Sequence, residues 1–387
     1  MIKLIKSTFH REAETRRALA EFVLHQDVLS MNEQCRAFEE AFAARQGRRY
    51  AVFVGNGSVA DLLLIQALLN EGRLRRGDRV GVSALTWPTN VMPLIQLGLE
   101  PVAIDCALDT LNVSPYTLEP HIGGLRALFL TNVLGFCDDL PRLREMCRDR
   151  GVLLLEDNCE ALGSMTAGTL LGNFSLASTF SFFVGHHLST VEGGMVCTDD
   201  EDLHERLVIS RAHGWDRNLS PDRQARLRAD AGVDDFYARY TFHDLASNFR
   251  PTELAGFIGN RQIRYWDEIV GARAAHFARF GQAMAGNADL HRYDLSHMDL
   301  VSNFAMPVVC RTPELAGKYR AEFEAAGVEI RPVIAGDITR QPFYRRHVRD
   351  TAECPVAGLV HTNGFYFGNN PDLTEDEVAT LCELLGG

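Results

Sequence analysis

Along residues 12–46 apolar positions recur at helical spacing. Polar residues around 26–32 interrupt them, so the pattern predicts two amphipathic helices, the second stopped at Gly47. From residue 50 the period changes. Short apolar runs at 50–54, 79–84, 102–105, 125–131 and 152–155 read as buried strands, with helical stretches at 59–70 and 140–150 between them. This alternation predicts an α/β fold with a mostly parallel sheet flanked by helices. The run 180–184 reads as another buried strand end. It breaks at Gly185, and Gly193-Gly194 turns the chain into a strand at 195–198. A helix is predicted over 200–212. The polar stretch 219–242 is long for a structureless loop, so it is either functional or partly helical. A helix opening at Asn248-Phe249-Arg250-Pro251 is expected to run through 263 and on to 280. Strands at 301–309 and 328–332 and a helix at 313–326 then predict a smaller C-terminal α+β domain. The division expected is 1–260 for the large domain and 261–387 for the small one. No internal repeat or low-complexity tract is visible.

Composition narrows the class. A chain of 387 residues with 46% hydrophobic content is large enough for two packed units of an ordinary globular enzyme. The net charge of -12 argues against nucleic acid as a partner. No run approaches the ~20 apolar residues of a membrane span, and the N-terminal stretch has no long apolar core, so neither a membrane partner nor a signal peptide is expected. The nine cysteines are scattered without a CxxC pair or metal-ligand spacing. Reduced thiols, a cytoplasmic location and no metal are the expectation. Lysine occurs only at Lys3, Lys6 and Lys318.

Five places carry candidate chemistry. The strand 50–54 runs through Gly55-Asn56-Gly57-Ser58 into a helix, a geometry whose free N–H groups bind phosphate, although many such turns bind nothing. Trp87, at the carboxyl end of a strand, either fills core or stacks on a flat ring. Glu156-Asp157 ends another strand, where a carboxylate is either functional or a helix cap. In TFSFFVGHHLSTVEGGMV, residues 179–196, Ser181 and the pair His186-His187 lie at one strand-to-loop junction. The pair either faces a cleft or forms a plain surface loop. His213, after the helix 200–212, either caps that helix or faces a ligand.

The stretch 179–196 resembles the active-site strand of the DegT/DnrJ/EryC1/StrS sugar aminotransferases, a PLP-dependent family of fold type I, the aspartate aminotransferase-like fold. That family reads S-F-x-x-x-K, with the lysine carrying PLP covalently. Here His186 stands at the lysine position. A branch with H-H followed by E-G-G consists of 3-dehydratases of nucleotide-linked 4-keto-6-deoxyhexoses. The resemblance extends over the whole chain through E-D-x-x-x-x-x-G (156–163), R-A-H-G-W-x-R-N (211–218), N-x-R (248–250) and R-P-x-x-x-G (331–336). It implies a seven-stranded large-domain sheet. It also implies that Gly57, Ser58, Ser181 and Asn248 hold the PLP phosphate, that Trp87 stacks on the ring, that Asp157 faces the ring nitrogen and that Glu160 lies beside the ring hydroxyl. Asn248 and Arg250 would reach across a homodimer interface, although Ser247 replaces the usual tyrosine before the asparagine. His186 would be the acid/base, with His213, Arg250 and Arg331 on the substrate side. The scattered cysteines speak against an iron-sulfur variant of the reaction.

The implied activity is that of a lyase in deoxysugar and O-antigen biosynthesis. PLP would take an amino group from L-glutamate to become PMP, the sugar would lose its C3 hydroxyl, and a 3-deoxy-4-keto sugar and ammonia would leave. With no lysine at the site, the cofactor would be bound without a covalent link. Two other readings stand beside this one: a PMP-dependent lyase or aminotransferase-like enzyme acting on a different nucleotide sugar, and a PLP-binding relative without catalysis. Neither the nucleotide nor the hexose can be read from the chain.

Overall fold

Residues whose side chains alternate between two apolar environments build the central sheet. In β4 (Ala127–Thr131), Phe129 joins one core while Leu128 and Leu130 join the other. In β1 (Tyr50–Val54), Val52 and Val54 face the first core, and Phe53 enters an aromatic cluster with Phe38, Phe42, Phe180 and Phe182. Helices must therefore cover both faces, as in any sheet whose strands carry apolar residues on each side. The computed structural model, which describes residues 1–349 and 352–387, has this architecture. The remaining strands of the sheet are β2 (Arg79–Ser83), β3 (Glu100–Ile104), β5 (Leu153–Asp157), β8 (Ala177–Ser181) and β9 (Gly194–Thr198), in the order β1-β9-β8-β5-β4-β2-β3. Only β9 runs against its neighbours. The expected seven-stranded, mostly parallel sheet is thus present.

Two smaller sheets complete the described chain. β6 (Met165–Thr166) and β7 (Thr169–Leu170) form a hairpin extended by β10 (Met298–Leu300). β11 (Ala305–Val309), β12 (Ile330–Arg331) and β13 (Gly364–Gly368) form an antiparallel sheet in the order β11-β13-β12. Its core holds Phe280, Met306, Val308, Phe323, Phe365, Phe367 and Leu381. The N-terminal strap joins this sheet: Ile2 bridges Val328, and the Leu4 N–H donates to Glu329 at 3.0 Å.

Three expectations are corrected. The run 180–184 is strand only as far as Ser181; β8 ends there opposite Gly194, the Phe182 N–H still donates to the Gly193 carbonyl and the Phe182 carbonyl accepts the Thr190 N–H, and the chain then turns away. The helix expected from 248 starts at Glu253, capped by Thr252, because Asn248 pairs with Ala212 and the Phe249 N–H donates to Arg211, holding that segment extended. It also does not run unbroken to 280: a tight turn at Ile263–Tyr265 separates it from the helix Trp266–Met284. The polar stretch 219–242 is partly helical, with a helix at Pro221–Asp230.

Candidate active site

The register of the central sheet brings the carboxyl ends of its strands to one rim. Asp157 lies opposite Thr131 on one side and Thr179 on the other. Along this rim opens a cavity of about 550 Å³, lined by Gly57, Ser58, Trp87, Asp157, Glu160, Ser181, His186 and Arg331, with Phe304 from just before β11 and Tyr366 from β13. A cavity outside the carboxyl ends of parallel strands is where open α/β sheets bind ligands. Eight of the expected residues therefore converge. His213, Asn248 and Arg250 do not line this cavity. The His213 ring packs against Trp215, with centroids 4.7 Å apart. Asn248 and Arg250 are exposed, bonded to each other at 2.9 Å.

The phosphate-type corner is built by close approach. A side chain on Gly57 would sit 2.7 Å from the Ser181 Cβ, so only glycine brings the start of the helix Gly57–Asn70 against β8. Asn56 caps that helix by accepting from the Val59 N–H at 2.9 Å. The N–H groups of Gly57 and Ser58 have no acceptor within the helix, as the geometry of a helix start requires. Gly194 is equally constrained, because any side chain there would run into the Asn56 carbonyl.

The floor is acidic. Asp157 is buried and accepts the Cys159 N–H at 2.9 Å, which closes a turn; no helix follows it, so it caps none. Asp61, in the otherwise apolar helix behind it, is buried and accepts from Thr179 at 2.7 Å and from Thr89 at 3.3 Å. Burial, and then its neighbour Asp157, push the Asp61 carboxyl well above the usual range. Burial also raises Asp157, with bonds from Cys159, Asn90 and Thr179 opposing. Two dry carboxylates with no cation acting on them among the described residues call for a shared proton or for a cationic ligand. Glu156 points the other way and is structural, accepting from Asn132 and from the Gly172 and Phe174 N–H groups. Glu160 accepts from the Leu134 N–H at 2.8 Å, and burial pushes it up to about 8. That leaves a carboxylic acid at the cavity wall which is largely protonated at neutral pH.

Trp87 is 51% exposed, so it does not fill core; it forms a wall of the cavity. His186 is half-buried, with its ring edge-on between Phe183 and Phe304 at centroid distances of 5.8 and 5.4 Å. Burial first, then the charge of Arg273, lower its pKa to about 4. It faces the cavity as neutral imidazole, the form that accepts a proton. His187 turns inward and is buried, its Nε2 bonded to the Ser302 carbonyl at 3.0 Å. Arg331 reaches the cavity from β12 and pairs with Glu329 at 2.6 Å. Asp61, Thr179 and Arg273 escaped the sequence reading. A lone carboxylate inside an apolar helix was a readable signal for Asp61; nothing in the pattern around the other two set them apart.

Comparison with known proteins agrees with this geometry. GDP-4-keto-6-deoxy-D-mannose 3-dehydratase of Escherichia coli O55:H7 is 30% identical over 368 residues, covering 94% of each chain. The crystal structure of a GDP-4-keto-6-deoxymannose-3-dehydratase variant with bound GDP-perosamine superposes with a TM-score of 0.91 at 29% identity over the full length of both chains. That of GDP-4-keto-6-deoxymannose-3-dehydratase with a trapped PLP-glutamate geminal diamine gives 0.88 at 28% identity, again over both full chains. Residues 10–386 match a single family, and the chain belongs to it: the DegT/DnrJ/EryC1/StrS aminotransferase family.

Proposed function

We propose that this protein binds PLP without a covalent link, receives an amino group from L-glutamate, and removes the C3 hydroxyl of a nucleotide-linked 4-keto-6-deoxyhexose. GDP-4-keto-6-deoxy-D-mannose is the substrate that the relatives favour. One observation carries the reading: the cavity presents the imidazole of His186 where the family motif has lysine, and no lysine lines it. Lys6, near the strap, is tied to Glu377.

The residues present fit the cofactor. The paired carboxylates of the floor suit a pyridinium, and the cradle kept open by Gly57 suits a phosphate at a helix start. Asp157 would hold the ring nitrogen, with Gly57, Ser58 and Ser181 at the phosphate. Trp87 would lie on a ring face and Glu160 beside the ring hydroxyl. Asn248 would complete the phosphate site from a second subunit, with Arg250, Arg331 and His213 toward the sugar nucleotide. When bound, PLP supplies the electron sink that lets a proton leave the carbon next to its nitrogen and the hydroxyl leave C3. His186 takes that proton on its neutral ring and returns it to the departing C3 oxygen. Phe183 and Phe304 fix the plane of the ring while it does so. Lysine at this position would move protons too, but it would also capture the cofactor and favour aminotransfer.

The test is the absorption spectrum of the PLP-loaded protein before and after L-glutamate, followed by turnover of a panel of 4-keto-6-deoxy sugar nucleotides. The expected result is a shift of the cofactor band with glutamate, a 3-deoxy-4-keto product, and no pyridoxyl-peptide after borohydride. An aminated sugar as the main product, or a borohydride-fixed pyridoxyl group on any of the three lysines, overturns the reading.

A further inference from the structure

Behind the cavity wall lies a polar knot with no part in ligand binding. Arg273, on the helix Trp266–Met284, is 2% exposed. Its Nη2 donates to the His186 carbonyl at 3.1 Å, while Nη1 donates to the Phe304 carbonyl at 3.3 Å and to the Asn369 carbonyl. Phe304 lies just before β11 and Asn369 just after β13, so one guanidinium ties the histidine loop to the ends of both strands. Asn369 closes the knot, its Nδ2 donating to the Arg273 carbonyl at 2.9 Å and to the Asn303 Oδ1 at 2.7 Å.

The charge of Arg273 is not neutralised. Among the described residues no carboxylate forms an ion pair with it. The one acid that acts on it, Asp372, is exposed and accepts from Ser7. Burial lowers Arg273 to about 9, which leaves it cationic at neutral pH. The other titratable groups around the loop are His187 and His10 on the inner side, His276 one turn along the helix, and Asp157, Cys159, Glu160, Glu192, Arg331 and Tyr366 across the cavity. Neither His187 nor His276 offsets a positive charge.

We propose that Arg273 is the positioning residue for His186: its fork of three carbonyl bonds sets where the imidazole stands, and it places an unpaired cation directly behind the loop. That charge adds to burial in holding the imidazole neutral. The proposal rests on the reading of His186 as the acid/base. An unpaired guanidinium is costly to bury, and hydrogen bonds to carbonyls compensate only in part. A purely structural tie between loop and sheet would need no such cation. Lysine keeps the charge but not the planar fork, so the two contributions separate by substitution.

The experiment follows the His186 ring by NMR in protein without cofactor, its resonance assigned by loss in His186→Asn. Wild type, Arg273→Lys and Arg273→Met are titrated, with thermal melting as the control for folding. In the wild type His186 should titrate at least about one pH unit below the ordinary histidine value. Arg273→Met should raise the midpoint by a resolvable amount, with burial keeping the rest of the shift, and Arg273→Lys should hold it near the wild-type value. In turnover, Arg273→Lys should lose rate through misplacement while keeping the wild-type acid limb; in Arg273→Met the acid limb should move up with the midpoint. An ordinary midpoint in the wild type overturns the proposal, whether or not the methionine variant folds. So does a folded Arg273→Met with the wild-type midpoint. The titration needs no sugar substrate. A shifted His186 in a protein that makes no deoxysugar therefore refutes the dehydratase reading alone.

Discussion

His186 and His187 are adjacent in sequence and opposite in environment, and their variants should behave accordingly. His186→Asn removes the group facing the cavity, and loss of general acid–base help typically costs ~10² to 10⁴ in rate. His187→Asn removes one bond to the Ser302 carbonyl and should mainly lower the melting temperature. His186→Lys should abolish dehydration and attach PLP covalently at that position. Product formation and the cofactor band in the three variants check this; near wild-type turnover in His186→Asn with a dead His187→Asn would name the other histidine. Glu160 gives a pH prediction for the protein without cofactor. Its folded pKa, about 8, lies above the ordinary value of 4.5, so the folded state binds a proton that the unfolded chain has released. That contribution is fully present below about 4.5 and is lost as pH rises through about 8. Urea midpoints measured from pH 5 to 8 should fall less steeply in Glu160→Gln than in the wild type. Equal slopes would mean that the carboxyl is ionised in the fold.

At the scale of elements, legibility in the sequence followed the range of the interactions involved. β1, at Tyr50–Val54, and the helix Leu140–Arg150 were readable to the residue, because an apolar run and a helical stretch set between two strands are local signals. β12 was legible within the run 328–332, but the hairpin of β6 and β7 and its partner β10 were not: β6 and β7 are two residues each, and β10 pairs with β6 only across a long stretch of chain. The site divides in the same way. Gly57, Asp157 and His186 sit at strand ends that the pattern marks, whereas Asp61 and Arg273 matter for what the fold places beside them. The run 180–184 shows the limit most plainly: its apolar character continues to Val184, but its cross-strand hydrogen bonds stop at Phe182. Gly194, the residue of β9 opposite Ser181, stands against the Asn56 carbonyl of the loop after β1. Gly194→Ala should therefore destabilise by about 1–3 kcal/mol through overpacking. It should also displace the helix start proposed to cradle the phosphate, and so weaken PLP binding. Chemical denaturation and cofactor titration read the two effects; an alanine variant with wild-type values in both would show that the corner yields without cost.

At the scale of the whole molecule, one chain leaves part of the expected site unused. Asn248 and Arg250 are ordered and exposed, outside the cavity of their own chain. Beside them in sequence, Phe236, Tyr237, Tyr240, Phe242 and Leu245 expose large apolar surface. Clustered exposure of this kind marks an interaction face. A two-fold axis would bring this face against a second copy and offer each copy's Asn248 to the other's cavity. Complementation tests that arrangement more sharply than molecular mass does. His186→Asn and Asn248→Ala subunits are each expected to be nearly inactive as homodimers. Mixed in equal amounts and allowed to exchange, half of the dimers are hybrids. In each hybrid one site takes His186 from the Asn248→Ala subunit and Asn248 from its partner, both intact, while the other site lacks both. About a quarter of the sites are then complete, so the mixture should recover about a quarter of wild-type turnover. If Asn248 served its own chain instead, hybrids would hold two defective sites and mixing would recover nothing. Exchange itself is followed by tagging one variant and recovering hybrids, so a silent mixture that demonstrably contains them rules out the shared site.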